Sequence, residues 1–446
     1  MPKIDYFSGK LPPERGVTKV RLIKSRLKQK KHRIIRPIEH ERYVDMHRFR
    51  LILPPLCALA LVFWTQTAAT FDESDLIKVA ALGQCGECDL READLSNFDL
   101  KGGVLSRADL RKANLQNAVL SFAVLPHAKL RKADLTGADL SNADLREVDL
   151  RNATLPGVNL ELANLQEANL SKSNLNKARL TRTQLNGASL RNSELIEANL
   201  GKASLTGADL SNTKLHRANM AKIDMMEGSL SGADLTSAHL TEAVLGKADL
   251  SDAILTNANL SEATLREAFL TGADLTNTIL VKADLTRAEM SESILTNANL
   301  AHAILDKAVL SSSDLSGANL AGANLAGAAL QDIKAERTNF ENAILSKVDL
   351  SRSFLVKANL RKAKLRQALL EGADLSGANL SEAVLRKAVL SGATLTKANL
   401  TGADLKGTDL TDVDLSQAKL KKGDVAQAIL CRTQLPWGEE NGSCKQ

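Results

Sequence analysis

From Leu90 to Leu435 nearly every residue whose number is a multiple of five is leucine, with no insertion or deletion; the exceptions are Met220, Met225, Met290, Ala335, Phe340 and Val425. Two residues before each of these stands a small residue, usually alanine, as at Ala138, Ala143 and Ala258, with Asp, Asn or another polar residue between the two. Two polar or turn-forming residues complete the unit, as in TGADLSNADL at 136–145. A period of five fits neither the 3.6 residues of an amphipathic helix nor the 2.0 of a strand. A chain that points Leu and Ala inward and turns every five residues has to wind about an axis, each pentapeptide forming one side of a coil that hydrogen-bonds to the next. The inward leucines, among them Leu140, Leu145, Leu260, Leu320 and Leu380, form the predicted core. Each contributes roughly 1.5–3 kcal/mol only when the coils above and below cover it. Interior volume is kept rung by rung: at QDIKAERTNF, 331–340, Ala335 stands where Leu belongs, and Ile333 replaces the small residue two positions earlier, a nearly volume-conserving exchange.

Identical polar residues stack as ladders in successive rungs, and that sets the number of sides. Asn299, Asn319, Asn339, Asn359, Asn379 and Asn399 recur every twenty residues, with Asn159, Asn199, Asn219 and Asn259 in the same phase. Twenty residues per coil means four sides, and the six asparagines are the predicted stacked ladder. The ends of a solenoid need covers. DESDLIKVAALG at 72–83 places Leu76, Val79, Ala80 and Leu82 on a helical stripe, with acidic residues in the first turn and Gly83 as a stop, so a capping helix is expected over 72–84. Beyond Leu435, Pro436 and Trp437 are available to cover the last rung, with 436–446 as a C-terminal cap.

The uninterrupted A(D/N)LXX tandem over 85–435 resembles the pentapeptide repeat family. That resemblance implies an all-β, right-handed quadrilateral β-helix with Leu at the central inward position and Ala two residues earlier. About 70 pentapeptides give about 17 coils, and at a strand spacing of roughly 4.8 Å the rod is on the order of 80 Å long.

Charge changes the picture at the N-terminus. Residues 1–50 hold 15 of the 58 Lys and Arg but only 5 of the 52 Asp and Glu, so the formal net charge of +6 comes from this tail and the remainder is slightly acidic. An apolar stretch follows, with Leu51 to Trp64 uncharged and Pro54 and Pro55 near its start. Extended to Phe71, it supplies about the 20 residues a membrane span needs. Read from Met1, 1–50 is a basic cytoplasmic tail and 51–71 a transmembrane signal anchor. Read from Met46, with the tail untranslated, the same stretch is a signal peptide cleaved near Ala69. Both readings put the repeats outside the cytoplasm.

The pattern yields no catalytic constellation, no cofactor motif and no metal site. The seven histidines, including His127, His216, His239 and His302 among the repeats, show no ligand spacing. Cys85, Cys88, Cys431 and Cys444 are of the right kind for zinc, but the two pairs fall at opposite ends of a rod on the order of 80 Å long. In an extracytoplasmic setting they are candidate disulfides. Joining Cys431 to Cys444 closes about 14 residues, worth around 3 kcal/mol. Cys85 and Cys88 occupy the leucine and alanine phases, which makes them the first inward rung.

The best-known activity in the resembled family is DNA mimicry directed at topoisomerases. Duplex DNA carries one negative charge per about 1.7 Å, which a slightly acidic rod does not match. The sequence therefore points to a non-enzymatic scaffold that binds a protein or envelope partner, or a second copy of itself, and no nucleic acid. Outward apolar residues mark the candidate contact patch: Leu369 and Val389 one coil apart, Val384 on the neighbouring side, with Val104 and Val124 stacked similarly near the N-terminus.

Overall fold

The computed structural model describes residues 71–444, which form a right-handed β-helix. Parallel bridges join Gln84 to Val104, Asp89 to Asp109, Asp94 to Asn114 and Asp99 to Val119, and the same twenty-residue offset continues up to Asp414–Gln434. These four columns define four faces, named here first to fourth in chain order. The basic tail and the expected membrane segment lie outside the described residues except for Phe71. Among the described residues no helix is long and apolar enough to cross a membrane.

Each side ends in a tight turn closed by its own backbone: the Ala93 N–H donates to the Leu90 carbonyl (3.1 Å), and Ala138 to Leu135 (2.9 Å). The second residue of the turn has positive φ, as at Glu92 (58°), Lys132 (59°) and Arg337 (56°). That conformation costs an L-residue about 1–2 kcal/mol. A bond to the next coil offsets it, for example Glu92 N–H to the Arg111 carbonyl at 2.9 Å. No Val, Ile or Thr occupies this phase from Glu87 to Asp412, because β-branching is least tolerated there.

The core is the pair of inward columns. Leu140, Leu145, Leu260, Leu320 and Leu380 are all buried, as are Met220, Met225, Met290 and Phe340. Ile333 and Ala335 are both fully buried, so the exchange of volume between them happens inside the core. Where Ser or Thr takes the alanine position, its hydroxyl finds a backbone acceptor: Thr183 donates to the Leu160 carbonyl and Thr338 to that of Leu315, each at 2.7 Å. Among the described residues no buried side-chain polar atom lacks a partner.

The N-terminal cap is helix α1, Glu73–Leu82, slightly shorter than the expected 72–84. Asp72 is its N-cap, accepting from Ser74 N–H (2.8 Å), and Gly83 ends it at φ 63°. Leu76 and Val79 are buried, but Leu82 is 72% exposed and does not belong to the apolar face. The helix stops at its first left-handed residue, so the last turn points Leu82 away from the first coil.

At the other end the coil is interrupted by a 3-10 turn, Lys422–Val425. The chain then forms a hairpin of β1, Thr433–Leu435, and β2, Gly438–Glu440, with Leu435 opposite Gly438. Pro436 and Trp437 are the two turn residues of that hairpin and are exposed. The expectation that they cover the last rung is therefore corrected. Pairing β2 against β1 sends the turn outward, and Leu435 is the residue that stays buried.

Candidate interaction surface

The outward residues fall into two kinds of position, the middle of each face and the edge where two faces meet. Mid-face side chains are half-buried by the coils on either side, which is why a ladder can form there. On the fourth face Asn319 Nδ2 donates to Asn299 Oδ1 (3.1 Å), Asn339 to Asn319 (3.0 Å), Asn359 to Asn339 (2.9 Å), Asn379 to Asn359 (3.3 Å) and Asn399 to Asn379 (3.3 Å). Each Oδ1 also accepts the backbone N–H two residues on, as from Glu341 to Asn339 (3.1 Å). The asparagine thus holds its own turn and the next coil together. Aspartate does the first task at other positions, and arginine two residues later often locks it: Arg146 donates to Asp144 through Nε and Nη2, at 2.8 and 2.7 Å. That pairing is the first cause of an Asp144 carboxyl held below the usual carboxylate range.

Edge side chains are more exposed and pair from coil to coil. On the edge between first and second faces, Arg107 meets Glu87 (3.3 Å), His127 meets Glu147 (3.3 Å), Lys247 meets Glu227 (3.9 Å) and Arg287 meets Glu267 (3.7 Å). Part of the charge along the rod is neutralised in this local way.

The candidate contact patch straddles the same edge further along. Leu369 and Val389 are bridged neighbours on the second face, and Val384 is bridged to Lys364 on the first. Leu369 is 39% exposed, whereas Val384 and Val389 are half-buried. Between the two apolar columns stand Arg366, Gln367, Arg386 and Lys387, all exposed edge residues. The sequence reading found the apolar members and missed these cations. The signal was available in the fixed phase that places residues ending in 6 and 7 at an edge. Val104 and Val124 are likewise bridged on the first face near the N-terminus.

Cys85 and Cys88 are disulfide-bonded with Cα atoms 5.4 Å apart, and both are buried. The bond spans the first turn of the solenoid where later turns use a hydrogen bond. Asp75 of α1 packs over it: its carboxylate accepts the Asp89 N–H (3.0 Å) and pairs with Lys78 (2.7 Å), and its carbonyl oxygen lies 3.4 Å from Cys85 Sγ. The two sulfurs and a carboxylate oxygen lie within 4.8 Å of one another, the one group of metal-ligating type among the described residues. The disulfide commits both sulfurs, so this group fastens the cap helix. Beside it is an open depression lined by Glu87, Asp89, Arg91, Arg107, Asp109 and His127. Its charges are largely spent on each other, as in Arg91–Asp89 and Arg111–Asp109, both 2.6 Å. Cys431 and Cys444 form the second disulfide, Cα atoms 4.7 Å apart. It ties the end of the tail to the last coil, aided by Ser443 N–H donating to the Leu430 carbonyl (2.9 Å).

The family model for pentapeptide repeats matches in successive segments from residue 88 to residue 412, with only residues 222–226 left between two of them. Among solved structures, the chain is similar to HetL, a pentapeptide repeat protein involved in heterocyst differentiation regulation in Nostoc sp. strain PCC 7120. Identity is 38%, over 49% of this chain and 88% of that one, with a TM-score of 0.24. It is also similar to a pentapeptide repeat protein of the Arabidopsis thaliana thylakoid lumen, at 34% identity over 22% of this chain and 66% of that one, TM-score 0.14. Trypsin-treated QnrB1, a plasmid-mediated fluoroquinolone resistance protein, matches at 20% identity over 50% and 91%, TM-score 0.29. No curated protein matches the chain.

Proposed function

The chain belongs to the pentapeptide repeat family, and we propose that it serves as a rigid, non-enzymatic scaffold outside the cytoplasm, held at the membrane by residues 51–71. The observation that carries this reading is the bridge ladder, which keeps one register from Gln84 to Lys419 and is resumed at Ile429 and Gln434 past the 3-10 turn. About 17 coils at roughly 4.8 Å each make a rod on the order of 80 Å, with four long faces and coil-to-coil charge pairing along its edges. Such an object can hold a protein or envelope partner at a fixed distance, and its contact surface is the edge around Leu369, Val384 and Val389. A secreted or periplasmic rod, released by cleavage near Ala69, is the variant of this reading that the same test separates.

Cells are fractionated, spheroplasts are treated with protease, and the mature N-terminus is sequenced. A tethered scaffold gives a membrane-bound chain whose repeats are digested from outside. A mature chain starting near residue 70 in the soluble fraction gives the released rod. Repeats protected inside spheroplasts would overturn both. DNA mimicry receives no support from the surface, since carboxylates such as Asp89, Asp109 and Asp149 are bonded to Arg91, Arg111 and Arg151. Supercoiling by gyrase is expected to be unchanged by the added protein.

A further inference from the structure

The edge between first and second faces changes character along the rod. In the earlier coils carboxylates stand on this edge among the cations, and Arg107 meets Glu87 and Arg287 meets Glu267 there, while Arg146 and Arg266 reach Asp144 and Asp284 on the first face. From Ala326 to Gly407 the edge residues are Ala, Gly, Ser, Lys347, Arg366, Gln367, Arg386, Lys387 and Lys406, with no carboxylate among them. Arg386 reaches across to Asp404 on the first face. Lys347, Arg366, Lys387 and Lys406, with Lys364 beside them, are exposed and make no ion pair among the described residues. The edge therefore gathers four such cations, with Lys364 beside them, and no carboxylate of its own over four successive coils, roughly 15 Å at the strand spacing. Leu369 and Val389 flank this ridge on one side and Val384 on the other.

We propose that this ridge docks on an anionic phospholipid surface. The ridge is the convex meeting of two faces, so a partner's side chains have no cleft to enter. A bilayer interface accepts projecting aliphatic tips and supplies anionic headgroups to cations set among them. Docked this way, the rod lies along the membrane with its far end attached a second time. This deepens the scaffold reading by naming the envelope component, and rests on that reading for the membrane being within reach.

The test uses the full chain with Cys57→Ser and one reporter cysteine carrying a fluorophore, at Gln367→Cys on the ridge or Ser376→Cys on the diagonally opposite edge. Vesicles of phosphatidylcholine alone, or mixed with phosphatidylglycerol, carry a spin-labelled quenching lipid. Flotation with neutral vesicles reports the 51–71 tether, and quenching reports the ridge. Quenching is expected at Gln367→Cys with the anionic vesicles and not at Ser376→Cys. In the Lys364→Glu, Arg366→Glu, Lys387→Glu variant, quenching of the Gln367→Cys reporter on anionic vesicles is expected to be lost, the ridge's docking equilibrium falling about a hundredfold at roughly fivefold per cation, with flotation through the tether and the circular dichroism spectrum unchanged. A chain that fails to float on neutral vesicles yet is quenched on anionic ones overturns the tether and keeps the ridge. No quenching at the ridge, equal quenching at both edges, or an unaltered triple variant overturns the lipid assignment. So does a ridge that ignores vesicles and binds poly-glutamate, which would make its partner an acidic polypeptide.

Discussion

At the scale of single residues, two constraints of opposite sign share each pentapeptide. The inward Leu must be large and apolar, and the second turn residue must tolerate a left-handed backbone. Gly207 isolates the second constraint, since its φ is 66° and a Cβ there would meet nothing within 4 Å. Any loss on substitution is then conformational. Gly207→Val should lower stability by about 1–2 kcal/mol, and Gly207→Asn by a few tenths, because Asn tolerates this region; chemical denaturation of the two variants checks the order. The inward constraint was plain in the sequence because it selects two residue types, Leu and Ala. The turn constraint was written only as an exclusion of Val, Ile and Thr among Lys, Glu, Asn and Gly, so it went unread. Leu82 was misplaced for a related reason: helical spacing marks a stripe but not the turn at which the helix leaves the core.

At the scale of the element, the fourth face is tied by asparagine in three directions at once. Asn339 donates to Asn319 (3.0 Å) and accepts from Asn359 (2.9 Å) and from the Glu341 N–H (3.1 Å). Asn339→Ala should cost about 1–3 kcal/mol, chiefly by orphaning half-buried partners. In a double-mutant cycle with Asn359→Ala the losses should fall short of additive by about 0.5 kcal/mol or more; strict additivity would mean that the ladder is only a column of independent turns. The C-terminal cap responds differently, because Cys431–Cys444 constrains a local loop. Cys431→Ser with Cys444→Ser should speed amide exchange at Leu430 to Leu435 and leave the coils around Asn299 to Asn399 as slow as before. The hairpin was hidden from the sequence reading because Pro436 and Trp437 look like cover for an apolar rung. The register of β2 on β1 turns them outward.

At the scale of the whole molecule, every contact of the ladder joins a coil to its neighbours, so stability is passed along the rod rather than shared across a common core. Acid acts at several points along the rod. Asp144, Asp332 and Asp412 lie below the usual carboxylate range, held there first by hydrogen bonds from Arg146, Arg352 and Arg432. A carboxyl whose folded pKa is lowered gives stability that is complete above its unfolded value, about 3.9 for Asp, and lost as pH falls through the folded value. The melting temperature should therefore stay level from about pH 8 to pH 5 and drop below about pH 4; a drop already under way between neutral pH and about pH 5 would assign acid sensitivity to other groups.

A break in one coil should behave otherwise. Leu320 is fully buried in mid-rod, and Leu320→Asp places a charge where neither neighbouring coil offers a partner, a loss of several kcal/mol confined to that rung. Because the coils on each side keep their own ladders, limited proteolysis should cut near residue 320 and leave two protected fragments, one carrying α1 with the Cys85–Cys88 bond and the other the C-terminal hairpin. Uniform digestion of the whole rod would instead show that the coils unfold as one unit, and the nearest-neighbour account of its rigidity would fail.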